Sequence, residues 1–68
     1  MQRIDVGKCI KIAQAKRDIS VDQMARDMKV VKQQVYRWRQ ADDIKLRKVE
    51  ELAEYFDMSL IEFLQLGD

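Results

Sequence analysis

The sequence predicts an all-α fold of five short helices, and three observations predict it. Apolar residues recur at helical spacing along the chain, with no strand pattern, internal repeat or low-complexity linker. There is no Pro and only two Gly, so helices can run uninterrupted and hairpin chemistry is scarce. Ser20 with Gln23, and Ser59 with Glu62, have the spacing of capping boxes.

Each element follows in order. Helix one runs from about Asp5 to Arg17, with Val6, Ile10 and Ala13 as its inner stripe. Ser20 caps helix two, which carries Met24, Ala25 and Met28, with Val30 in the turn after it. That turn has no Gly, so Lys29 must accept a positive φ or a slightly different turn, at some cost in stability. Helix three runs from about Lys32 to Gln40, and Val31, Val35 and Trp38 at i, i+4 and i+7 form its apolar stripe. No Ser or Thr precedes it. After the loop Ala41-Asp42-Asp43-Ile44-Lys45, helix four places Leu46, Val49, Leu52, Ala53 and Phe56 on one stripe. A short helix five carries Leu60, Ile61, Phe63, Leu64 and Leu66.

Composition narrows the function. Sixty-eight residues make one domain, 1–68, near the lower limit for an unaided core, with no room for a separate sensor. No apolar run approaches the roughly 20 residues that span a bilayer, and the N-terminus lacks the apolar stretch of a signal peptide. Cys9 is the single cysteine, which excludes an internal disulfide and suits a reducing cytoplasm. With no His, there is no zinc set. No nucleophile has a base partner at motif spacing and there is no Gly-rich phosphate loop, so neither an enzyme, a cofactor nor a small-molecule ligand is expected.

The net charge of +1 conceals a polarised distribution. Residues 29–48 sum to +5, residues 49–68 to −6 and the first 28 to +2. Positive charge therefore gathers on helix three and the loop after it, while the C-terminal third repels phosphate. A molecule polarised in this way can orient on DNA without being basic as a whole.

Helix three supplies the matching chemistry. At 100° per residue, with Val35 and Trp38 inward, Gln33, Tyr36, Arg37 and Gln40 point away from the core, and Lys32 and Gln34 flank that face. Amides, a guanidinium, an ammonium and a phenol are the groups that hydrogen-bond base edges. Gln33 can pair with adenine N6 and N7, Arg37 with guanine O6 and N7, and Lys32 with guanine acceptors. Tyr36 can pack on a thymine methyl or donate to a phosphate. Trp38, at helical spacing from Val35, belongs to packing rather than base stacking. Two short helices joined by a tight turn, the second with a base-reading face, form a helix-turn-helix. The N-terminus of helix two, at Ser20, offers free N–H groups to a phosphate.

Residues Ser20 to Trp38, SVDQMARDMKVVKQQVYRW, resemble the helix-turn-helix of the Cro/C1-type phage repressor family. The hydroxyl cap, the mid-helix Ala and the Val leading into the second helix carry the likeness. The resemblance continues through LRKVEELAEYFDMSLIEFL, which is similar to the family's fourth and fifth helices. It implies a lambda-repressor-like fold with the helix-turn-helix at helices two and three. It also implies base contacts at Lys32, Gln33, Gln34 and Arg37, and phosphate contacts at Gln40, Lys45 and Arg47, where Asp42 and Asp43 intrude.

The chain departs from the family pattern at several places. The Gln that often follows the first cap is Val21, and the usual Gly of the turn is missing. The family's helix-one Arg and helix-three Glu are here Gln14 and Arg39, which leaves Arg39 free for phosphate. The five apolar residues between Leu60 and Leu66 exceed one buried stripe, so Leu60, Phe63, Leu64 and Leu66 are expected at a dimer contact. Two-fold pairing would set two recognition helices roughly 34 Å apart on an inverted-repeat operator.

The sequence reading is thus a transcriptional regulator of a bacterial cell or its phage, a weak or DNA-induced homodimer on double-stranded DNA. The resemblance implies repression by operator occupancy. A small activator that touches polymerase through its acidic third, and an antitoxin or adaptor module using helix five, are the alternatives.

Overall fold

The computed structural model describes residues 5–41 and 44–67; the loop aspartates Asp42 and Asp43, like Arg3 and Asp68, lie outside the described residues. Five helices follow in order: α1 (Val6–Arg17), α2 (Val21–Met28), α3 (Lys32–Gln40), α4 (Leu46–Tyr55) and α5 (Leu60–Gln65). The fold is all-α, with no strand among the described residues.

Side-chain caps open three of the helices. Asp5 accepts from the Lys8 amide at 3.1 Å, and Ser20 and Ser59 accept from the Gln23 and Glu62 amides, each at 3.1 Å. Only the last is a reciprocal box, completed by the Ser59 amide donating to Glu62 Oε1 at 3.4 Å. At α2 the expected return bond is not made. Gln23 instead donates to Asp27 at 2.9 Å and accepts from Arg26 at 3.3 Å, because these partners lie one turn further along the same face.

One device ends three helices. Asp18, Lys29 and Asp57 all take the left-handed conformation, with φ of 55°, 58° and 57°. The next residue in each case, Ile19, Val30 or Met58, donates its amide to a carbonyl five residues back, at 2.9, 3.0 and 2.9 Å. Each of those three side chains also packs against the core. This is the Schellman pattern, an apolar plug behind a left-handed residue, and it turns the chain sharply. Lys29 therefore does adopt the positive φ that a glycine-free turn requires.

The core is continuous. Phe56, Phe63, Ile10, Met24, Leu52, Val35 and Cys9 are its largest fully buried side chains. Phe56 and Phe63 stack with centroids 6.0 Å apart. Gly7 is required where α1 meets the end of α3: a Cβ there would lie 2.3 Å from the Arg39 carbonyl oxygen, and the Gly7 amide donates to Ala41 at 3.0 Å. Arg17 reaches from α1 to the end of α4, donating to the Phe56 and Asp57 carbonyls at 2.9 and 3.2 Å. Tyr55 ties α4 to α2, its hydroxyl donating to Asp27 at 2.6 Å.

Two residues assigned to apolar stripes lie outside the core. Val31 is 66% exposed, because it is the extended N-cap of α3 and leaves the helical phase assumed for it. Val30 packs inward instead. Leu46, in the uncovered first turn of α4, is 61% exposed. The other members of both stripes are buried.

Candidate nucleic-acid interface

Helix α3 is held from behind. Val35 is fully buried and Trp38 is 8% exposed, and they seat the helix against α1 and α2. That seating fixes what faces out. Lys32, Gln33, Tyr36, Arg37 and Gln40 are exposed, and Gln34 and Arg39 are half-buried. No acidic residue lies on α3, so its three cations are uncompensated within the helix.

The polar groups on this face are largely uncommitted. Among the described residues no hydrogen bond or ion pair engages the side chains of Gln33, Gln34, Tyr36, Arg37 or Gln40. Arg39 lies over the Tyr36 ring, 5.8 Å from its centroid. Lys32 is the exception, its ammonium 3.0 Å from Asp22, with both side chains well exposed. An exposed pair of this kind is worth little and exchanges readily for another anion. Nothing in the sequence singles out Asp22 for this pairing. It lies ten residues from Lys32, a spacing no helical period produces, and only the fold of α2 against α3 brings them together.

The residues assigned to phosphate lie around α3. Ser20 is exposed at the start of α2, and its oxygen accepts from the Gln23 amide, which leaves its hydroxyl proton to donate. Lys45 and Arg47 are exposed at the start of α4. Neighbouring Lys48 is occupied otherwise, 2.8 Å from Glu51 and 5.3 Å from the centroid of the Trp38 ring. A shallow cleft of about 490 Å³ beside the start of α2 is lined by Lys11, Gln14, Ser20, Val21 and Arg39, among others.

Residues 10–68 match the model of the Cro/C1-type HTH DNA-binding domain. The chain belongs to that family. No curated protein and no solved structure matches it. A Cro/C1-type domain is a DNA-binding domain.

Helix α5 does not bear out every residue assigned to a dimer contact. Phe63 has no exposed surface, because it is stacked on Phe56 inside this chain. Leu60, Leu64 and Leu66 are half-buried against the core. The apolar side chain that α5 does expose is Ile61, at 68%. Among the described residues no helix is long and apolar enough to cross a membrane.

Proposed function

We propose that this Cro/C1-type domain is a sequence-specific transcriptional regulator that acts by occupying an operator, as a small Cro-like repressor of phage or prophage kind in a bacterial cytoplasm. One observation carries the reading: α3 buries Val35 and Trp38 and leaves Lys32, Gln33, Tyr36 and Arg37 exposed beside half-buried Gln34. In the major groove Gln33 reads adenine, Arg37 and Lys32 read guanine, and Tyr36 meets a thymine methyl or a phosphate. Ser20, Arg39, Gln40, Lys45 and Arg47 hold the flanking phosphates, which fixes register without reading sequence. The acidic residues of α4 and α5 keep the far side off the duplex.

Two copies pair through the half-buried leucines of α5, Leu60, Leu64 and Leu66, on an inverted repeat. Each of these leucines is half covered by its own core, so the pairing is weak and completed on DNA. Selection of bound duplexes from a random pool tests this. The expected product is a palindrome with half-sites about one helical turn apart. A pool that shows no enrichment rejects sequence-specific binding, and an enriched single half-site rejects the dimer.

A further inference from the structure

Among the described residues two side-chain atoms are buried without a hydrogen-bond partner, Gln14 Oε1 and Arg39 Nε, and both residues line the cleft beside the start of α2. Gln14 is 6% exposed, and its Nε2 donates to the Ile19 carbonyl at 3.4 Å, which leaves Oε1 as the spare acceptor. Arg39 has no carboxylate partner among the described residues. The two residues sit on α1 and α3, which pack directly on each other. A lone acceptor and a lone donor, both buried and complementary in sense, belong to residues that line one cleft. An unpaired buried polar group is costly, so an event that completes the pair is favoured.

We propose that Gln14 is the positioning residue for Arg39: when the domain binds duplex DNA, Gln14 Oε1 accepts from Arg39 Nε and turns the two Nη groups onto a backbone phosphate at the mouth of the cleft. The inference rests on the DNA-binding reading above. A guanidinium is a rigid fork, so fixing Nε leaves its outer edge for bidentate contact with phosphate oxygens. The amide oxygen is neutral. It orients the guanidinium without cancelling its charge, whereas a carboxylate at this place would hold the cation and cancel the charge offered to DNA. Lys11, lining the same cleft, adds a second positive charge.

The test uses the full chain and a fluorescein-labelled duplex of mixed sequence, titrated over a range of NaCl concentrations. Arg39→Ala should reduce the slope of log K against log salt by about 0.9, one phosphate contact. Gln14→Glu should produce a similar loss of slope by neutralising Arg39, with the fold retained by thermal melting. In an Arg39→Ala background Gln14→Glu should remove no more than the change of charge produces at a distance. A wild-type slope in Gln14→Glu, or a full second loss in the double variant, overturns the proposal.

Should Gln14→Glu fail to fold, the Arg39 Nε–H resonance of the wild-type chain decides the question. Its exchange with solvent should slow on adding duplex, and an unchanged rate in the bound state rejects the pairing. If the wild-type chain shows no salt-dependent binding at all, the DNA-binding reading fails instead, so the two failures are distinct.

Discussion

Helices α3 and α4 are of similar length and both bury an apolar stripe, yet they treat their charges in opposite ways. Helix α4 mixes Arg47 and Lys48 with Glu50, Glu51 and Glu54, and Lys48 finds Glu51 at 2.8 Å. Its last residue, Tyr55, is bonded to Asp27. Helix α3 carries Lys32, Arg37 and Arg39 with no acid, and the exposed amides Gln33 and Gln40 make no side-chain hydrogen bond among the described residues. On α4, Lys48 and Tyr55 are settled within the chain and serve the fold, whereas Arg47 stays exposed. On α3 only Lys32 has an ion-pair partner among the described residues, Asp22, and Arg37 and the exposed amides are left open.

The largest effect expected tests the buried side of α3. Trp38→Ala removes an indole that is 8% exposed and should cost about 3–5 kcal/mol, enough to unfold much of a domain this small. Urea unfolding followed by circular dichroism measures it. A loss below about 1 kcal/mol would mean that Trp38 is not what seats α3.

The open side should respond in the opposite manner. Arg37→Ala should leave unfolding unchanged, since Arg37 is exposed and its side chain makes no bond among the described residues. It should reduce discrimination at one base pair of the selected operator by about 1–3 kcal/mol. Competition between the operator and its single-base variants is the measurement. Lost stability with intact discrimination would erase the contrast between the two faces.

Much of this contrast was legible in the sequence, because helical period alone separates Val35 and Trp38 from Tyr36 and Arg37. Helix three was placed at Lys32 to Gln40, where α3 is found. Period fails at the ends of helices, and so did the reading. Val31 and Leu46 sit at helix starts, where a residue leaves the helical phase or has no neighbour over it. The count of apolar residues in α5 points Phe63 to a dimer contact, because it does not reveal that Phe56 stands opposite it. The Asp22–Lys32 pair joins two helices, and no linear spacing encodes it; Gln14 and Arg39 stand where the family's pair does, but the cleft they line is visible only in the fold.

The Tyr55–Asp27 bond sharpens the comparison from the α4 side, through pH. The Tyr55 hydroxyl, donating to Asp27, holds that carboxyl below its ordinary value of 3.8, with help from Gln23. Burial, and then the same bond, pushes Tyr55 above its ordinary 10.0. A carboxyl lowered in the folded state contributes stability above its unfolded pKa and loses it as pH falls through the folded one. Tyr55→Phe should therefore be less stable than wild type at neutral pH, by a small fraction of the Trp38 loss. The gap should close as pH falls below 3.8. A gap that persists in acid would assign the effect to the hydroxyl itself rather than to the charge on Asp27. Duplex binding at neutral pH should be unchanged by this variant, as befits a bond that serves only the fold.

The smallest effect lies at the turn between α2 and α3, where structure and function are hardest to separate. Lys29 holds φ 58° and ψ 44°, the left-handed conformation that glycine enters without strain. Asp18 and Asp57 hold the same conformation, but Asp tolerates it better than Lys. Lys29→Gly relieves strain in the folded chain while loosening the unfolded one, so the net gain should be about 0.5 kcal/mol. Asp57→Gly should gain less. The useful comparison is with duplex affinity. If Lys29 serves only to turn the chain, Lys29→Gly binds the selected operator as wild type does, with the same dependence on salt. If stability rises while the salt dependence falls by one contact, the lysine touches phosphate. Its persistence in a strained conformation would then be owed to DNA, and the open surface of α3 would extend backwards into the turn.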